Sequence, residues 1–236
     1  ATILDDDAGT PTVSIEGFAI GESTSTVSGD DLLPFTITLS EASDEAVRVY
    51  YRTLPGVGSA SETDDYDSLN SFVDFAAGET SQTVFVHTNG FEDADEADES
   101  VVLELYDVTG GAAFAGGAPS LRATGFILDD DGTGNDRALV ASSPVLVEGD
   151  DGTVNAVFEL RLSEASSEEI VVSYATADGS ALAGEDYGAR SGTVTFLAGQ
   201  TVASVIVPVT GDGSVEGTET FSLILGASPS VAQTTS

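Results

Sequence analysis

"FTITLSEASDEAVRVYYRT" (Phe35–Thr53) recurs as "FELRLSEASSEEIVVSYAT" (Phe158–Thr176), and the reading of this pair decides the fold. Phe35, Ile37 and Leu39 alternate with Thr36 and Thr38, and Phe158, Leu160 and Leu162 alternate with Glu159 and Arg161. Successive side chains of a strand point to opposite faces, so a period of two marks a strand with one buried face. Val101, Leu103 and Leu105 repeat the pattern, as do Phe221, Leu223 and Leu225. No helical stripe of useful length interrupts these runs.

The match extends beyond the opening pair. "DDYDSLNSFVDFAAGETSQTVFV" (Asp64–Val86) answers "EDYGARSGTVTFLAGQTVASVIV" (Glu185–Val207), and "DEADESVVLEL" (Asp95–Leu105) answers "VEGTETFSLIL" (Val215–Leu225). The spacing is roughly 120 residues, the size of one β-sandwich domain. The expected fold class is therefore all-β: tandem immunoglobulin-like sandwiches of seven strands each.

The first copy closes with "RATGFILDDD" (Arg122–Asp131), whereas the second runs out at "GASPSVAQTTS" (Gly226–Ser236) with no closing strand. The chain opens with "ATILDDD" (Ala1–Asp7), the same phrase that closes the first copy. The expected organisation is a closing strand at residues 1–7 that belongs to a neighbouring repeat, a first domain at 8–134 and a second at 135–236. Residues 1–7 of the next unit would supply the missing strand of the second domain. An unclosed sandwich exposes a strand edge that invites strand addition, and a heterologous contact of that kind propagates head to tail. The expected partner is thus a copy of the chain itself, in a filament or a covalent array.

Composition narrows the partners further. The 236 residues carry 41 acidic and six basic side chains, all six arginine, for a formal charge of −35. Such a chain cannot replace the counterions of a nucleic acid or dock on an anionic membrane. A hydrophobic fraction of 41% is enough to build a core. There is no cysteine, so disulfides and thiolate metal sites are ruled out.

Across nearly its whole length the chain resembles the Calx-beta family. The resemblance is carried by "YATADGSALAGEDYGARSGTVTFLAGQTVASVIVPVTGDGSVEGTETFSLIL" (Tyr174–Leu225) and by the terminal "FILDDD" (Phe126–Asp131). It implies an immunoglobulin-like sandwich, Ca2+ bound at one tip, and tandem use in large surface and secreted proteins. The implied ligands in the first copy are Glu22, Glu92, Asp93, Glu96, Glu99, Asp129, Asp130 and Asp131. In the second copy they are Glu148, Asp178, Asp212, Glu216 and Glu219, with Asp5, Asp6 and Asp7 as the terminal aspartates. Asp178 has no counterpart in the first copy, where "TLPGVGSA" replaces "TADGSA". Asp65 and Asp186, beside tyrosines, read as turn residues. Calcium takes six to eight oxygen ligands, which suits carboxylates gathered from several loops.

Catalytic signals are weak. His87 is the only histidine and sits in a strand pattern, and no lysine or cysteine is present. "GGAAFAGGAP" (Gly110–Pro119) lacks the lysine of a phosphate loop, and "DADEADE" (Asp93–Glu99) lacks the glycine turn of an EF-hand. Tyr50, Tyr51, Tyr66, Phe72 and Phe75 read as core and corner residues rather than a sugar platform. The expected function is a non-enzymatic, calcium-stiffened structural repeat of an extracellular filament or giant surface protein. The alternative is an adhesin module that recognises carbohydrate or protein.

Overall fold

The computed structural model describes residues 1–5, 9–21, 31–89, 98–128, 137–226 and 232–233. Two compact units emerge: Thr10–Gly132, and Ala1–Gly9 together with Thr133–Ser236. Strand β1 (Thr2–Leu4) precedes the first unit, which holds β2 (Thr12–Gly17), β3 (Ala19–Gly21), β4 (Asp31–Leu39), β5 (Val47–Thr53) and β6 (Asn70–Phe75). It continues with β7 (Ser81–Thr88), β8 (Glu99–Thr109), β9 (Ala113–Phe114) and β10 (Leu121–Leu128). The second unit adds β11 (Ala138–Ala141), β12 (Val145–Val147), β13 (Thr153–Leu162) and β14 (Ile170–Asp178). Its remaining strands are β15 (Ser191–Phe196), β16 (Val202–Thr210), β17 (Glu219–Leu225) and β18 (Ala232–Gln233).

Each unit is a sandwich of a five-stranded and a four-stranded sheet. The first has the orders β3-β10-β8-β5-β6 and β7-β4-β2-β9; the second has β12-β1-β17-β14-β15 and β16-β13-β11-β18. Seven strands were expected, and the surplus comes from short pieces. The opening strand breaks after Gly17, so that β2 pairs with β4 in one sheet and β3 pairs with β10 in the other. The chain passes so close there that a Cβ on Gly17 would clash with the Thr124 carbonyl oxygen. Only glycine fits that crossing.

The alternation seen in the sequence is the core. Phe35, Ile37 and Leu39 are fully buried in the first sandwich, with Tyr66 and Phe75 beside them. Phe158, Leu160 and Leu162 are buried in the second with Tyr187 and Phe221. Of the aromatics assigned to the core, Tyr51, Tyr66 and Phe75 are buried, but Phe72 is 46% exposed and Tyr50 is only half-buried. The pleat explains the correction: Val47, Val49, Tyr51 and Thr53 of β5 point inward, so Arg48, Tyr50 and Arg52 point out.

The closing strand of the second sandwich was expected from residues 1–7 of a neighbouring unit; in this chain β1 lies in that position. β1 pairs parallel with β12 (Ile3 opposite Leu146) and antiparallel with β17 (Ile3 opposite Glu219). In the first sandwich β10 does the same, with Ile127 opposite Ile20 and Glu99. Ile3 and Leu4 thus occupy the places of Ile127 and Leu128, and both are buried. The Ala1 nitrogen donates to the Phe221 carbonyl at 2.8 Å, at the outer end of the strand.

Candidate metal centre

At one end of the second sandwich, loops bring carboxylates together. After β14 the chain turns through Gly179 to Tyr187, and Asp186 closes that turn by accepting the Leu182 N–H on Oδ2 at 2.7 Å. Tyr187 anchors the turn: its ring stacks on Phe221 with centroids 4.2 Å apart. Its hydroxyl donates to Asp178 Oδ1 at 2.6 Å, and the same oxygen accepts the Ala183 N–H at 2.9 Å.

Glu219 begins β17 directly opposite Ile3, and Glu216 lies three residues earlier in the loop. One carboxylate oxygen from each of Asp186, Glu216 and Glu219 lies within 4.8 Å of the others. Asp5 follows β1 and is buried, as is Glu148, whose N–H donates to the Leu4 carbonyl at 3.3 Å. Asp212 sits in the adjoining loop and accepts the Ser214 N–H at 2.7 Å.

Like charges so close raise each other's proton affinity. Burial pushes the Glu219 carboxyl up, and the charge of Asp186, a hydrogen bond with Asp186, and the charges of Glu216 and Glu185 carry it to about 7. Glu216 is raised first by burial, then by Asp212, Asp186, Asp5 and Glu185. Asp212 moves the other way, below the usual carboxylate range, because Ser214 hydrogen-bonds its ionised form. A carboxylate pair about 5 Å apart repels by about 3 kcal/mol at an effective dielectric near 20. A divalent cation converts that repulsion to attraction, and hard carboxylate oxygens are the donors that Ca2+ selects over softer metals. The residues present therefore fit a calcium ion.

Of the residues named from sequence, Glu216 and Glu219 belong to this cluster, and Asp5 and Asp212 are close enough to act on Glu216. Glu148 lies beside them through its backbone contact with Leu4. Asp178 is placed differently, with Oδ1 committed to the turn. Asp186 was read as a turn residue only; it is that and also a member of the cluster. The doublet Glu185-Asp186 was the available signal. In the first copy Glu99 opens β8 opposite Ile127, in the register of Glu219. Asp65 takes the Ser61 N–H, as Asp186 takes that of Leu182. Glu22, Glu92, Asp93, Glu96, Asp129, Asp130 and Asp131, with Asp6 and Asp7, lie outside the described residues.

The sequence model of the Calx-beta domain matches residues 13–131 and 135–235. The chain belongs to the Calx-beta family. The chain is 29% identical, over 197 residues, to sodium/calcium exchanger 1 of Canis lupus familiaris. The same identity and length hold for sodium/calcium exchanger 1 of Felis catus. These matches take in 76% of this chain and 19% of the exchanger, so the chain spans about a fifth of the relatives it matches. Among solved structures, CBD12 from CALX1.2 is similar at a TM-score of 0.44 and 20% identity, over 84% of this chain and 74% of that one. The calcium binding domain CBD12 of CALX1.1 gives 0.41 and 21%, over 89% and 77%.

Proposed function

We infer that this Calx-beta pair is a non-catalytic structural module whose second sandwich is closed and stiffened by calcium. The observation that carries this reading is the register of Ile3 opposite Glu219. The strand that completes the sandwich delivers Asp5 to the acidic loop in the same act that pairs its backbone. An ion held by Asp186, Glu216 and Glu219, with Asp5 and Asp212 at hand, ties β1 to β17 and to the 178–187 turn. Calcium is the ion favoured by the all-oxygen donor set, and the relatives the chain matches are sodium/calcium exchangers by name.

The module works outside the cell, as one repeat of a surface protein or fibre. The weak end of the calcium range, met in extracellular modules, is filled where free calcium is abundant. A closing strand separated from its sandwich by an entire domain also suits assembly. Exchanged between copies, β1 makes the same contacts in the partner and links units head to tail. Hydrogen exchange over residues 1–5 tests the reading. Saturating calcium should slow exchange there at least tenfold, and equal rates with calcium and with chelator would overturn it.

A further inference from the structure

We propose that the outer face of the five-stranded sheet in the first sandwich binds a neutral oligosaccharide. All three arginines of that sandwich, Arg48, Arg52 and Arg122, lie on this face, interleaved with Tyr50, Phe72 and Tyr106. The Tyr50 ring lies 6.0 Å from Phe72 and 6.1 Å from Tyr106 between centroids. The Arg48 guanidinium covers Phe72 at 3.8 Å, and that of Arg52 lies 5.0 Å from Tyr106. A depression of about 520 Å³ adjoins Tyr50, Arg48 and Asp74.

Two observations separate this face from ordinary sheet surface. The first is a β-bulge: Tyr50 lies opposite Asp107 but Tyr51 opposite Leu105, which leaves Tyr106 as the extra residue. A bulge re-aims a side chain at the cost of a broken ladder, and here it turns Tyr106 towards Tyr50, its hydroxyl donating to Asn70 at 2.9 Å. The second is the other copy, which builds the same sheet without any of these groups. Where β5 has Arg48, Tyr50 and Arg52, β14 has Val171, Ser173 and Ala175; Phe72 is answered by Thr193, and Tyr106 by Gly226. The two copies share the register and the core, so stability of the sandwich does not require the aromatic cluster.

The chemistry selects the ligand. Each arginine is already paired: Arg48 with Asp74 through two bonds of 2.6 and 2.8 Å, and Arg52 and Arg122 with the two oxygens of Glu104. Three guanidiniums share the two carboxylates of Asp74 and Glu104, so these pairs leave a single net positive charge, and a chain of charge −35 repels a polyanion. What remains is the exposed part of Phe72 beside the half-buried, mutually tilted rings of Tyr50 and Tyr106, with the Arg48–Asp74 pair and Asn70 as fixed polar neighbours. That combination matches a sugar, whose apolar C–H faces stack on rings while its hydroxyls meet planar polar groups.

Affinity electrophoresis of the intact chain tests the proposal, with mannan, galactan, β-1,3-glucan and soluble cellulose derivatives without charge as probes, and alginate as the polyanion. At least one neutral glycan should retard the protein, and Phe72→Thr, Tyr50→Ser and Tyr106→Gly should each weaken the retardation at least tenfold. These changes install the residues of the second copy, and Phe72→Tyr, which keeps a ring, should leave binding within threefold. Retardation by alginate alone, by none of the glycans, or equally for wild type and all variants would overturn the proposal. So would a face that captures protein but no glycan.

Discussion

Tyr187 lies flat on Phe221, ring centroids 4.2 Å apart and planes 9° from parallel. The pair links three parts of the second sandwich. Phe221 belongs to β17 and its carbonyl accepts from the Ala1 nitrogen, while the Tyr187 hydroxyl holds Asp178 at the base of the acidic turn. Tyr187→Phe should keep the stack and lose the bond, lowering stability by about 1.5–3 kcal/mol because the acceptor is a carboxylate. Phe221→Ala should cost about 3–5 kcal/mol through the cavity it leaves. Denaturant titration resolves the two.

Asp178 and Glu219 should respond differently to loss of charge. Asp178→Asn preserves an oxygen for the Ala183 N–H and the Tyr187 hydroxyl, so calcium affinity should stay within twofold while stability falls by about 1 kcal/mol. Titration of the ion and thermal melting of the same variant check both halves.

The closing strand should control the second sandwich alone. Ile3 is buried against Leu139, Phe158 and their neighbours, a core separate from that of the first unit. Ile3→Ala should destabilise by about 2–5 kcal/mol, and Ile3→Asp should release the strand and bare the edge of β17. The first sandwich's melting transition should not move. Added peptide of residues 1–7 should restore the second.

Acidity should act on the two sandwiches in opposite directions. The Glu219 pKa is raised from 4.5 to about 7, so with chelator its penalty on folding is absent below about 4.5 and grows as pH rises through 7. The second sandwich should melt lower at pH 8 than at pH 5, and calcium should abolish the difference. Glu104 runs the other way. Burial works to raise its pKa, but hydrogen bonds from Arg52 and Arg122 bring it below 4.5, so its stabilisation is present above 4.5 and lost as pH falls through the lower folded value. Thermal melts across pH 3–8 with a probe in each unit distinguish the two trends.

Much of this architecture is legible in the chain because it is periodic. Phe35, Ile37 and Leu39 betray β4 by alternation alone, and the repeated "ILDDD" identifies β1 with β10 before any coordinates. What alternation cannot give is the address of a strand: the edge of β17 looks the same to Thr2–Leu4 from its own chain or from another. Outward residues are equally ambiguous. Tyr50 and Tyr51 are adjacent in sequence, and only the pleat, set by Val47 and Val49, decides that one faces solvent and the other the core. The bulge at Tyr106 has no local signature at all. Asp186 was half legible, since its turn role is local and its nearness to Glu219 depends on a strand thirty residues away.

The most direct test of the central claim is a calorimetric titration of calcium into the intact chain at pH 7, in buffers of different ionisation enthalpy. Ligating carboxylates must be deprotonated, and Glu219, raised to about 7, is partly protonated without the ion. The account predicts saturable binding with proton release, and for Glu219→Gln at least a tenfold weaker site in the second sandwich and a smaller release from it. Identical affinity, stoichiometry and proton release in wild type and Glu219→Gln would contradict it.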